Sequence, residues 1–162
     1  MNKNIVIIGM PGSGKTTIGF LLSKKINMNF IDMDDYIKNC EGKTIKEMFN
    51  ISEDYFRNIE TKCSIKLSNL SNVVISTGGG IVKRKENLDY FKENSIIIFL
   101  NRPIENIIND IDIKLRPLLQ EGKNKIYDLY SERITLYKKY CHIEIINDTT
   151  ISDTVDKIIM SL

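Results

Sequence analysis

Gly9, Met10, Pro11, Gly12, Ser13, Gly14, Lys15 and Thr16 follow the pattern G-x-x-x-x-G-K-[ST], a spacing suited to one kind of chemistry, the holding of a polyphosphate. Glycines let a short backbone fold into a concave row of N–H donors, and a helix beginning at its end adds the positive end of its dipole. In such a cradle Lys15 lies along the β- and γ-phosphates of a nucleoside triphosphate and the Thr16 hydroxyl ligates Mg²⁺. Thr17 adds a donor to the α-phosphate, and Gly12, Ser13 and Gly14 complete the ATP-binding set. A plain turn between a strand and a helix does not require Lys and Thr directly after Gly14.

The motif fixes nucleotide binding and leaves the reaction open, since motors, switches and small-molecule kinases share it. Two carboxylates narrow the choice. Asp32 and Asp34 fall where a second strand ends, and ligands collect at strand carboxyl ends in open α/β sheets. Asp32 is expected to support the metal through water, and Asp34 to face an acceptor hydroxyl and orient it or take its proton. The competing reading is that both acids cap the helix that follows. A later strand, Val73 to Ser76, ends in serine where a generic P-loop ATPase has an aspartate, and runs into Thr77, Gly78, Gly79 and Gly80.

These groups need a frame. Ile/Val-rich runs at Ile5 to Ile8, Phe30 to Asp32, Val73 to Ser76, Ile96 to Leu100 and Ile143 to Ile146 read as strands, and amphipathic segments separate them. Runs apolar throughout imply a sheet covered on both faces, so the expected fold is a three-layer α/β/α sandwich on a five-stranded parallel sheet. Helices are expected over Thr16 to Ile26, Glu53 to Leu70, Glu86 to Glu93, Ile104 to Asn109 and Lys125 to Tyr140. Thr44 with Glu47 has capping-box spacing, and Ser152 precedes a last amphipathic stripe. The 162 residues fit one domain, 1–162.

Composition removes several classes of function. With 23 basic and 21 acidic residues interspersed, net charge +2, no basic field exists for a nucleic-acid backbone. No segment has the apolar length of a membrane span. Three scattered cysteines without CxxC or His-paired spacing suggest neither disulfides nor zinc, and fit a reducing, cytoplasmic setting. The one histidine, His142, has no partner of ligand type at a useful spacing, and the triplet Lys83, Arg84, Lys85 reads as a solvated helix start.

Seven segments in order carry a resemblance over nearly the whole chain: GMPGSGKTT at 9–17, FIDMD at 30–34, GKTIKEMF at 42–49, FRNIE at 56–60, STGGG at 76–80, LRPLL at 115–119 and RITLY at 133–137. Together they resemble the shikimate kinase family. The resemblance implies ATP-dependent phosphorylation of shikimate at its 3-hydroxyl, a step toward chorismate and the aromatic amino acids, by a protein that is generally a monomer. It implies that Asp34, Arg57, Gly79 and Arg133 hold shikimate, and that Lys15 and Arg116 attend the transferring phosphate. Two guanidiniums suit a carboxylate, which each can grip bidentately. Glu60, three residues beyond Arg57, is spaced either to hold that guanidinium or to form an ordinary exposed helical pair. Three successive glycines suggest close approach of a ligand in addition to a turn at positive φ.

Residues 110–123 carry no firm helix or strand signal and are expected to form a mobile lid that closes over both ligands, excludes water and delivers Arg116. Asn109 stands where many relatives of that family carry an adenine-stacking arginine, which leaves adenine to other residues, with a loop near 147–152 as the candidate. Ser52 replaces a glycine common before Glu53, a change expected to touch only the local turn. Two other readings remain at this stage: a P-loop kinase for gluconate or a nucleoside monophosphate, and a nucleotide-binding switch without phosphotransfer.

Overall fold

The computed structural model describes residues 3–114 and 119–162. Five parallel strands form one sheet: β1 Asn4–Ile8, β2 Asn29–Asp32, β3 Val73–Ser76, β4 Ser95–Asn101 and β5 Ile143–Ile146, in the order β2-β3-β1-β4-β5. Helices occupy the crossovers: α1 Lys15–Lys25, α2 Met33–Glu41, α3 Ile45–Ile51, α4 Glu53–Ser68, α5 Lys85–Lys92, α6 Ile104–Lys114, α7 Leu119–Tyr140 and α8 Ile151–Ser161. Parallel neighbours need such crossovers, and helices on both faces account for strands without polar alternation. All five residues of β1 are buried.

Each face of the sheet has its own core. One gathers Val6, Ile8, Ile75, Phe99 and Tyr137 against α2, α4, α5 and α7; the other gathers Ile5, Ile7, Val74, Ile98 and Leu100 against α1 and α8. Odd and even residues of β1 thus point to opposite layers, as the two-residue period of a strand demands. Asn4 sits at the opposite end of the sheet from the P-loop, its amide donating to Leu70 O at 2.6 Å and accepting from Val73 N–H at 3.1 Å.

The order places β1 between β3 and β4, so successive crossovers leave β1 in opposite directions. The carboxyl end of β1, where the glycine loop begins, lies at this switch point, the position at which open α/β sheets offer a crevice.

Several boundaries differ from the sequence reading. The last helix is capped by Thr150, whose hydroxyl accepts from Asp153 N–H at 3.1 Å, rather than by Ser152. The helix α2, read from sequence only as a possibility after the two acids, is real and begins at Met33. The stretch 110–123 is not structureless among the described residues, because α6 continues to Lys114 and α7 begins at Leu119. Gly122, a weak helix former, hides the start of α7. Arg116 and the LRPL part of its motif lie outside the described residues, as does the core of the expected lid.

The capping box at α3 is complete: Glu47 N–H donates to Thr44 Oγ1 and Thr44 N–H to Glu47 Oε2. Ser52 adopts extended backbone, φ −174°, which any residue can take, and caps α4 by accepting from Tyr55 N–H. His142 bonds to β4 on both sides, its N–H donating to Ile97 O and its Nδ1 accepting from Ile97 N–H. Burial, with Lys3 and Lys92 nearby, holds its pKa below the usual imidazole range and favours that acceptor form.

Candidate active site

The loop after β1 folds as its glycines allow. Gly12 and Gly14 have φ of 79° and 92°, in the region L side chains avoid, and Gly14 caps α1. Two of its carbonyls are tied back from outside. Arg102 donates to Gly12 O at 3.0 Å and Asn147 to Ser13 O at 2.9 Å. A loop held by its carbonyls turns its N–H groups toward the other side, which is the arrangement an anion needs. Neither clamp was evident from the sequence, where Arg102 is one cation after a strand and Asn147 only part of a candidate adenine loop.

Lys15 donates to Gly9 O at 2.9 Å and to Met10 O at 2.8 Å. An ammonium has three donors, so one is left for a phosphate. Burial lowers its pKa to about 8, with Asp34 and Asp32 pulling the other way and Arg133 adding to the depression. Its charge is held only weakly in this site, and an anion in the cradle would restore it.

Asp32 caps the helix with one oxygen, as the competing reading had it, and reaches the P-loop threonine with the other. Its Oδ1 accepts from Asp34 N–H at 3.0 Å and Asp35 N–H at 3.2 Å and caps α2; its Oδ2 accepts from Thr16 Oγ1 at 2.6 Å. Ser76 Oγ stands 3.5 Å from the same hydroxyl. This donor set is made of oxygen alone, hydroxyl and carboxylate, and fits a hard cation that keeps most of its water, as Mg²⁺ does. Asp34, one residue into α2, has its carboxyl pKa raised by burial first and by Asp32 next, with Lys15 opposing.

Across the loop lies a cavity of about 420 Å³ lined by Pro11, Asp34, Arg57, Glu60, the three glycines and Arg133. The choice left open for Glu60 is resolved by burial. Glu60 is 1% exposed and Arg57 6%, and Arg57 Nη1 donates to Glu60 Oε2 at 2.8 Å. The guanidinium also lies over Phe49 and Phe56, 5.7 and 5.2 Å from their centroids. A pair this dry is not an exposed helical bridge; it is a fixed cation on a cavity wall. Burial nevertheless keeps the Glu60 carboxyl above the ordinary range, with Arg57 opposing. Among the described residues, Glu60 Oε1 and the buried Nε of Arg133 have no hydrogen-bond partner. Buried donors and acceptors rarely stay unpaired unless a ligand meets them.

The glycines at 78–80 do not form the expected turn at positive φ. None of them has positive φ, and what each makes room for is a residue of the protein. A Cβ on Gly78 would sit 3.0 Å from Asp34 Oδ1; on Gly79, 2.6 Å from Pro11 Cδ; on Gly80, 2.7 Å from Arg57 Cζ. The turn is where Asp34, the phosphate loop and Arg57 all come closest to one backbone.

A second cavity, about 250 Å³, opens on the other side of the loop between Gly14, Thr17, Ile18, α6 and the loop before α8. Arg102, Asn106 and Asn147 line it. Arg102 also pairs with Asp110 at 2.6 Å, while Asn109 is exposed. The segment near residue 147 therefore borders this cavity through Asn147, Asp148, Thr149 and Ile151. Of the residues assigned from sequence, Lys15, Thr16, Asp32, Asp34, Arg57, Gly79 and Arg133 meet around the loop, with Gly12, Ser13, Gly14 and Thr17 forming it or following it.

A phosphate cradle at the switch point of a parallel sheet, with a cationic cavity beside it, defines a P-loop phosphotransferase of the small-molecule kinase class. The comparisons narrow that class. The family model for shikimate kinase matches residues 11–162. The chain is 48% identical to the shikimate kinase of Clostridium botulinum, covering 98% of this chain and 96% of that protein. It superposes with a TM-score of 0.89 on the shikimate kinase from Acinetobacter baumannii in complex with shikimate, 32% identical, covering 98% of this chain and 92% of that one. A gluconokinase from Sinorhizobium meliloti, 13% identical with TM-score 0.62 over 96% and 88% of the two chains, shares the fold alone. The chain belongs to the shikimate kinase family.

Proposed function

We infer that this protein transfers the γ-phosphate of ATP to the 3-hydroxyl of shikimate, giving shikimate 3-phosphate and ADP. The observation that carries the reading is the cavity beside the phosphate loop. Two buried arginines, one of them with an unpartnered Nε, share it with a carboxylate whose pKa is raised. A small anion bearing hydroxyls supplies what those groups lack.

In this reading Arg57 and Arg133 grip the shikimate carboxylate, and Gly79 offers its backbone to the ring substituents. Glu60 fixes Arg57. Asp34, which lines the same cavity, meets the acceptor hydroxyl and orients it or takes its proton as the oxygen attacks phosphorus. Lys15 balances the charge that shifts along the β,γ-bridge, and Arg116 meets the transferring group from the 110–123 stretch, whose closure keeps water out. Thr16 and, through water, Asp32 would hold Mg²⁺, which would supply positive charge to the phosphate oxygens. The nucleotide's adenine occupies the second cavity. The protein is taken to act as a cytoplasmic monomer without a nucleic-acid partner. No helix among the described residues is long and apolar enough to cross a membrane.

The test is ADP release with ATP and Mg²⁺ present. Shikimate should start it, and gluconate or AMP should not; equal turnover with gluconate refutes the acceptor. Arg133→Ala should raise the shikimate KM by the equivalent of about 2–4 kcal/mol, the loss for truncating one partner of a buried charge pair, with ATP little affected. An unchanged shikimate KM removes Arg133 from the clamp.

A further inference from the structure

Tyr137 closes the RITLY stretch, of which the site described so far uses only Arg133. Its ring is fully buried and stacked on Phe99, with centroids 5.1 Å apart. A buried phenol needs a partner for its hydroxyl. This one donates to the Gly79 carbonyl oxygen at 2.5 Å, with Met10 Sδ 4.0 Å away. Burial pushes the phenol pKa up to about 12, the Arg133 guanidinium opposing, so the hydroxyl keeps its proton and remains a donor.

That bond fixes a peptide plane. No peptide bond among the described residues is cis, so the Gly79 carbonyl and the Gly80 N–H point in opposite directions. With the carbonyl turned onto Tyr137 in the core, the N–H is turned away from it. Gly78, Gly79 and Gly80 all line the acceptor cavity, and among the described residues none of their N–H groups donates within the chain. Glycine has the widest backbone freedom of any residue, and a row of three needs an anchor if its donors are to keep one direction.

We propose that Tyr137 is a positioning residue for the phosphoryl acceptor: its hydroxyl holds the Gly79–Gly80 peptide with the N–H presented to the cavity that Arg57 and Arg133 line. Tyr137 follows Arg133 by four residues on α7, one helical turn, so a single helix sets one arm of the clamp and the glycine turn. The proposal rests on the functional reading above, since the acceptor it invokes is shikimate.

Tyr137→Phe in the whole chain keeps the ring and its stacking and removes one O–H. The shikimate KM should rise about five- to tenfold, the effect of one lost hydrogen bond, with the ATP KM constant within about twofold. Amide exchange at Gly80, slowed by saturating shikimate in the wild type, should be slowed less in the variant. A tyrosine of purely structural value would lower the melting temperature and the active fraction and leave both KM values alone. That result, or an equal rise in both, overturns the proposal. Should the variant fail to fold, exchange in the wild type decides: Gly80 protected by shikimate supports the proposal, and Gly80 unprotected refutes it. A wild type without shikimate-dependent ADP release brings down the functional reading itself, whereas an active wild type with an unaltered Phe variant removes only Tyr137.

Discussion

Gly80→Ala tests the packing logic of the glycine turn with a single methyl. The new Cβ would overlap Arg57 Nη2 most deeply and lie 2.7 Å from both Cζ and Nη1, and the guanidinium must retreat by roughly 1.5 Å to regain van der Waals contact. Long side chains usually escape such overlaps cheaply, but this one is held by Glu60 at 2.8 Å and covers Phe49 and Phe56. A retreat of that size takes the bond to Glu60 beyond hydrogen-bond range. A hydrogen bond to a charged group contributes about 1.5–3 kcal/mol, equivalent to roughly a 10- to 150-fold rise in the shikimate KM. Arg57 lies away from the nucleotide cavity, so the ATP KM should stay within about twofold. The assay is coupled ADP release at saturating ATP with shikimate varied, alongside thermal melting to check that the protein is folded. A folded Ala variant with an unchanged shikimate KM would refute the claim that Gly80 exists to admit Arg57.

Gly122→Ala is the matching control, since none of the described residues lies within 4 Å of its Cβ position in α7. It should stabilise the helix by about 0.5–1 kcal/mol, raising the melting temperature by a few degrees with KM values unchanged. Lys15, with its pKa near 8 in the free protein, is charged below that pH and loses its proton above it. ATP affinity measured by calorimetry should therefore fall as pH rises through about 8, by up to about tenfold per unit. Asp34, raised by burial and by Asp32, works as a carboxylate in the proposed reaction. Turnover should fall on the acid side at a pH above that of an ordinary aspartate, and Asp34→Asn should lower kcat by about 10²- to 10⁴-fold and remove that limb. An acid limb that persists in the Asn variant would assign it to another group.

The strands were legible because a sheet covered on both faces asks for continuous Ile and Val, and the phosphate loop because its chemistry demands fixed residue types at fixed spacing. What stayed hidden depended on direction. Helical spacing places Glu60 beside Arg57 without saying which way that side of α4 faces, and only burial separates a fixed clamp from a solvated pair. The three glycines suggested a turn at positive φ and a nearby ligand. The φ values exclude the first, and the nearest neighbours are Asp34, Pro11 and Arg57, residues distant in sequence. Arg102, Asn147 and Tyr137 act on backbone carbonyls of other segments, contacts for which no local pattern exists. The acids 32 and 34 posed a choice between capping and catalysis; a carboxylate has two oxygens, and Asp32 caps α2 with one while the other stays at the phosphate loop on Thr16.

The strand order β2-β3-β1-β4-β5 divides the work of the molecule as well as the sheet. Everything on the β2–β3 side, α2 through α4 and the glycine turn, faces the acceptor cavity; the segments after β4 and β5 face the nucleotide cavity. On the proposed function, donor and acceptor recognition are thus written in separate stretches of chain that meet at one loop, with α7 alone reaching back to the acceptor side. On that reading, substitutions among residues 33–68 should change what is phosphorylated and leave the source of the phosphate untouched. Selection can rewrite one half of such a protein at a time, and a chimaera made at these borders should keep its nucleotide affinity while taking on a new acceptor.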